Sequence, residues 1–181
     1  KSVGNAIIDV NVDSYSQTIS AGDVSGNSFI FDYYGNLVAE YQSKIPVWGI
    51  SHAVLDNGKI LLACGHANKA SNDGLVSIYA DDDQILSYKT DEPIWHTCIF
   101  SNTVLATGWK GGLYLFDPKT GKLLEKLKTT APLYGSCRIS DESVLINADR
   151  DGVYQYSFKN GLSKLASLKN NCYNIAFSKK Q

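Results

Sequence analysis

One pattern returns through the chain at intervals of about forty residues. Pro46-Val47-Trp48-Gly49-Ile50-Ser51 is followed by Pro93-Ile94-Trp95-His96-Thr97-Cys98 and by Pro132-Leu133-Tyr134-Gly135-Ser136-Cys137. A fourth copy, Cys172-Tyr173-Asn174-Ile175-Ala176, lacks the proline. The aromatic stands at 48, 95, 134 and 173, and Ala6-Ile7-Ile8-Asp9-Val10-Asn11-Val12 is a degenerate earlier copy with Ile8 forty residues ahead of Trp48. A unit this short cannot bury a core alone, so it must stack on copies of itself.

Each period carries four short strands. In the second they are Val47 to Leu55, Lys59 to Cys64, Leu75 to Tyr79 and Ile85 to Tyr88. Asp56-Asn57-Gly58 and Asp81-Asp82-Asp83 separate the outer pairs, and such residues supply turn backbone at low cost. The same grammar ends the third strand elsewhere: Phe29-Ile30-Phe31-Asp32 runs into Tyr33-Tyr34-Gly35-Asn36, and Leu115-Phe116-Asp117 into Pro118-Lys119-Thr120-Gly121. No helical period of useful length occurs. Alternating strands at this spacing predict an all-β fold, a β-propeller of four blades, each of four antiparallel strands, plus one extra strand.

Gly111-Gly112-Leu113-Tyr114-Leu115-Phe116-Asp117-Pro118-Lys119-Thr120-Gly121-Lys122 resembles the repeat core of the pyrroloquinoline-quinone-like (PQQ-like) propellers. The four-strand layout around Leu61-Leu62-Ala63-Cys64-Gly65 is more distantly similar to WD40 repeats, with Phe31-Asp32 and Phe116-Asp117 where the closing Trp-Asp pair would stand. Ser51-His52-Ala53-Val54-Leu55 is similar to a blade of the arylsulfotransferase-type propellers, where a histidine near the axis takes part in group transfer. Counted along the repeat, the chain reads as a single propeller unit over 1–181, with blades at about 6–45, 46–92, 93–131 and 132–171 and the start of a fifth at 172–181. Rings of these families have more blades, so we expect a partial ring or one completed by a second chain. The absence of Met, with Lys at position 1, suggests a piece of a longer product.

Charge supports pairing. The formal net charge is −1, yet residues 1–92 carry five Lys against twelve acidic residues, while residues 93–181 carry twelve basic against six acidic. An acidic half and a basic half favour head-to-tail association. With no overall basic field, no nucleic-acid partner is expected, and no apolar run is long enough for a membrane span. Cys64, Cys98, Cys137 and Cys172 lie 34 to 39 residues apart, without the close pairs of structural zinc sites, and read as reduced core residues. Reduced cysteines favour a cytoplasmic setting, although a cleaved leader would leave no trace.

The loops after each second strand are Gly22-Asp23-Val24-Ser25-Gly26, Gly65-His66-Ala67-Asn68-Lys69, Gly108-Trp109-Lys110-Gly111 and Ala148-Asp149-Arg150-Asp151-Gly152. Aligned on their leading residue, they place Asp23, His66, Trp109 and Asp149 at equivalent points of a central face. His52 and His96, with Asp9, join them from the first strands. We read this set as a surface for a polar ligand or a peptide, and the repeating aromatics as packing between blades. No catalytic set, metal site or cofactor is read from the spacing. The expected role is a non-enzymatic scaffold for protein-protein interaction or assembly. The competing role is a small-ligand binder or a group-transfer enzyme of the PQQ-like or arylsulfotransferase-like type, built on a central-face histidine.

Overall fold

A computed structural model describes residues 4–55, 57–68, 70–81, 83–170, 172, 173 and 175. Strands β1 (Ile7–Asp13), β2 (Thr18–Asp23), β3 (Asn27–Asp32) and β4 (Leu37–Gln42) form the sheet of blade 1. Blade 2 holds β5 (Val47–Val54), β6 (Ile60–Asn68), β7 (Asp73–Ala80) and β8 (Asp83–Thr90). Blade 3 holds β9 (Ile94–Phe100), β10 (Thr103–Gly108), β11 (Gly112–Phe116) and β12 (Leu123–Lys128). Blade 4 holds β13 (Gly135–Arg138), β14 (Ser143–Ala148), β15 (Gly152–Ser157) and β16 (Gly161–Ala166). Every pairing is antiparallel between sequence neighbours, so the chain is an all-β propeller with four four-stranded sheets.

The hairpin ends are closed by the residues that mark them in the sequence. Asp13, Asp32 and Asp117 each accept the backbone N–H two residues ahead, from Tyr15, Tyr34 and Lys119. This is the Asx turn that aspartate favours over continued strand. The β6–β7 hairpin is longer than the pattern suggests. His66, Ala67 and Asn68 continue β6, where His66 pairs with Leu75, so the loop expected at His66 begins only after Asn68.

The inner strands pack side by side in the order β1, β5, β9, β13. The core lies between the sheets. Blade 2 turns Ile50, Leu62, Cys64 and Tyr79 onto Ile30 and Tyr41 of blade 1, and Tyr41 and Tyr79 meet with ring centroids 4.9 Å apart. Blade 3 turns Val104, Ala106, Tyr114 and Phe116 onto Leu61, Ala63, Val76 and Ile78. Blade 4 turns Val144, Ile146, Ala148 and Tyr156 onto Leu105, Leu113 and Leu115. Each blade thus has a rear face for its predecessor and a front face for its successor.

The rear face of blade 1 has no predecessor among the described residues. Pairing of Val12 with Ile19, of Val10 with Ala21, and of these β2 residues with Phe31 and Phe29 puts all six on that side. Val10 and Val12 are 53% and 56% exposed. At the other end Asn147 Nδ2 donates to the Cys172 carbonyl, and the Tyr173 ring lies 5.2 Å from that of Tyr134. The chain beyond blade 4 therefore lies on its front. Of the expected fifth repeat at 172–181, residues 174 and 176–181 lie outside the described residues.

Candidate functional site

Two places draw the chemistry-bearing residues together: a cavity at the axis and a rim of aromatic rings where the inner strands begin. The cavity measures about 1200 Å³ and is walled by all four inner strands. Register fixes what faces it. Asp9 pairs with Gly22, Gly49 with Gly65, His96 with Thr107 and Gly135 with Asn147, which puts Asp9, Gly49, His96 and Gly135 at one level of successive blades. Polar side chains thus alternate with none at all. A Cβ on Gly49 would overlap the His96 backbone, so this glycine is what lets blades 2 and 3 approach.

Asp9 and His96 feel each other's charge across the space the glycines leave. The Ile50 N–H donates to Asp9 Oδ2 at 2.9 Å, and His96 Nδ1 is hydrogen-bonded to Ser136 Oγ at 2.9 Å. Burial pushes the Asp9 carboxyl above its ordinary range despite the imidazole. Burial likewise pushes His96 below its ordinary value despite the carboxylate. Desolvation outweighs attraction for both partners, and both are biased toward their neutral forms.

The other two histidines hold blades together. His52 is hydrogen-bonded through Nε2 to Thr18 Oγ1 at 2.8 Å and through Nδ1 to Ser20 Oγ at 2.9 Å, across the boundary between blades 1 and 2. His66 donates from Nδ1 to the Ile45 carbonyl at 3.1 Å, which leaves Nε2 to accept from Ser77 Oγ at 3.1 Å. Burial lowers the pKa of both. His52 and His96 line the axial cavity, whereas His66 is turned into the blade 1–2 boundary. No group of three or more metal-ligating side chains occurs among the described residues.

The loop residues are not all in register. Asp23 pairs with Ile7, His66 with Val47, and Gly108 with Ile94, each across a bulge in the inner pair. Trp109 and Asp149 stand one residue past that point, level with Val24. Asp23 is spent on its own loop, accepting the Ser25 and Asn27 N–H groups at 2.8 Å each. These bonds hold its carboxyl below the usual range against a desolvation cost. Blade 3 has only Gly108 at that place, and the carboxylate arrives from elsewhere. Glu92 Oε2 accepts the Lys110 N–H at 2.5 Å and the Gly112 N–H at 3.3 Å. Nothing in the motif spacing marks Glu92. Its one signal is an acid just before Pro93 where the other copies carry Ile45 and Ala131.

The rim is a continuous arc of rings. Trp48 and Trp95 lie 4.4 Å apart, Trp95 and Trp109 5.1 Å, Trp109 and Tyr134 5.5 Å, and Tyr134 and Tyr173 5.2 Å. They pack from blade to blade, yet none of the five is fully buried. Among the described residues, Trp95 Nε1 and Asp149 Oδ1 are shielded atoms without a hydrogen-bond partner.

No family model and no curated protein matches the chain, so the PQQ-like and WD40 likenesses find no matching family. Solved structures match in number, 1056 chains in all, which by itself marks a widely shared fold and no one function. One is the crystal structure of the computationally designed Ika8 protein, similar with a TM-score of 0.70 at 19% identity. The match covers 96% of this chain and 53% of that one, so the chain spans about half the length of the designed protein. At this identity the likeness is one of fold alone.

Proposed function

We propose that the chain is a non-enzymatic scaffold for protein-protein interaction or assembly, with the rear face of blade 1 as its contact surface. The observation that carries this reading is that face itself. Val10, Val12, Ile19, Ala21, Phe29 and Phe31 occupy the side by which every later blade meets its predecessor. Surface of that kind fits the front of another blade. The occupant we favour is blade 4 of a second copy, because the acidic half of one chain then meets the basic half of the next. Cys172 and Tyr173 already lie on the front of blade 4, so the second copy has to displace them.

Light scattering tests this directly. The chain shortened at Asn170 forms a dimer that weakens at high salt and is lost in Val12→Lys, and the full chain dimerises less tightly. A shortened chain that stays monomeric at low salt overturns the reading.

The axial cavity favours a second reading, a small polar ligand held by Asp9 and His96, with or without group transfer by the histidine. A saturable rise in melting temperature with such a compound, abolished by Asp9→Asn, would put this reading first.

A further inference from the structure

We propose that Ser136 and His96 form a nucleophile and its base at the axial cavity, acting on small carboxylic esters. This rests on the second reading above, in which the cavity takes a small polar ligand, and adds a reaction to it. Both side chains line the cavity from the adjacent inner strands β13 and β9, and Ser136 Oγ stands 2.9 Å from His96 Nδ1. At that distance a hydroxyl can pass its proton to an imidazole.

His52 Nδ1 meets Ser20 Oγ at the same 2.9 Å, yet the two rings differ. His52 is tied at its second nitrogen to Thr18, and His66 is held at both of its own. Two bonds fix such a ring as a strut between blades. His96 makes one hydrogen bond among the described residues, so its second nitrogen is not spent on the fold. Ser20 is wholly buried and takes no part in lining the cavity, whereas Ser136 reaches it.

Burial keeps the His96 ring neutral near neutrality, as a base must be. A neutral ring that accepts the Ser136 hydrogen at Nδ1 carries its own on Nε2, and the Asp9 charge favours the imidazolium formed when the proton arrives. The backbone adds a donor. Ile139 N–H goes to the Ser143 carbonyl, and the alternation of an antiparallel pair then turns the Ser136 N–H away from β14, onto the open edge of the innermost strand. An N–H beside the nucleophile suits the oxyanion of a tetrahedral intermediate.

In the reaction, Ser136 Oγ bonds to the ester carbonyl carbon while its proton passes to His96 Nδ1. The bond from that carbon to the leaving alcohol breaks, and the departing oxygen takes the proton from Nδ1. Water then attacks the acyl-serine by the same route, which releases the carboxylic acid and restores both side chains.

A fluorophosphonate tests this on the native protein, because it bonds to an activated serine oxygen with loss of fluoride. Peptide mapping should find the label on Ser136 and not on Ser20. Ser136→Ala should abolish it, and His96→Asn or His96→Gln, whichever melts cooperatively, should slow it about a hundredfold or more. Turnover of para-nitrophenyl acetate should show the same dependence. The unreactive para-nitroacetanilide separates the reaction from the ligand site beneath it. A saturable rise in melting temperature without labelling of Ser136 refutes the reaction and leaves the ligand site standing, whereas the lack of both effects refutes both. The proposal also fails if Ser20 is labelled as fast as Ser136, or if labelling continues unchanged without the imidazole.

Discussion

Glu92 accepts the hydroxyl hydrogen of Tyr114 at 2.9 Å while its other oxygen takes two backbone N–H groups of the β10–β11 loop. The side chain is almost wholly buried, and Lys128 Nζ approaches it to 3.6 Å. One carboxylate thus ties the link before β9 to the β10–β11 loop and to β11 at the same end of the blade. Glu92→Ala would leave the Lys110 and Gly112 N–H groups without their carboxylate, while the Tyr114 hydroxyl keeps Asp91 Oδ1 at 3.1 Å. We expect a loss of about 3 to 5 kcal/mol, with Glu92→Gln losing less, read from urea unfolding. Near-neutral behaviour of the alanine variant would show that water replaces the carboxylate.

Gly49→Ala probes the approach of blades 2 and 3. The added methyl would meet the His96 backbone, which cannot swing aside as a side-chain end can. We expect destabilisation of at least about 2 kcal/mol, in contrast to Gly35→Ala, where the new methyl meets nothing and only the positive φ resists.

Stability should fall on mild acidification. Burial lowers the folded-state pKa of His52, His66 and His96, so below about pH 6.5 the unfolded chain binds protons that the folded chain refuses. The sign follows: stability is full above that pH and declines beneath it, with a limiting slope of about 1.4 kcal/mol per pH unit for each histidine. Asp9, raised by burial, offsets part of the loss at the acid end. Equal urea midpoints at about pH 7.5 and 5.5 would contradict this account.

The four cysteines should separate into two classes. Burial pushes the thiols of Cys64 and Cys98 up to about 12, so neither offers thiolate near neutrality. Cys137 and Cys172 are only partly buried. Brief alkylation of the native protein, followed by peptide mapping, should mark Cys137 and Cys172 and spare Cys64 and Cys98 until denaturant is added. Early labelling of Cys98 would mean that the axial cavity admits the reagent and that the thiol is more acidic than its surroundings imply.

The sheets were legible in the sequence because recurring aromatics and Asp, Asn and Gly turns mark both ends of each blade. Tyr33-Tyr34-Gly35-Asn36 and Thr120-Gly121 became the turns they spell. The alignment of the loops was less legible. Matching the loops on their leading glycine sets Gly108 level with Gly22 and Gly65, but strand pairing puts Thr107 there, opposite His96, and no side chain announces that one-residue offset. The start of the β6–β7 loop is illegible for another reason: β6 runs on through Asn68 because β7 pairs with it over that whole length, a long-range effect absent from local composition. The partners of the histidines were out of reach too, since Thr18, Ser20 and Ser136 lie 34, 32 and 40 residues from the rings they meet.

The axial level of Asp9, Gly49, His96 and Gly135 bears on how such a chain can grow. Bulk and emptiness alternate there, and each side chain occupies room vacated by its neighbour. Copying a single blade would set two glycines, or two polar groups, next to each other and leave either a hole or a collision. Copying two adjacent blades together preserves the alternation. At this level the heritable unit is therefore the pair, although the repeat visible in the sequence is the single blade.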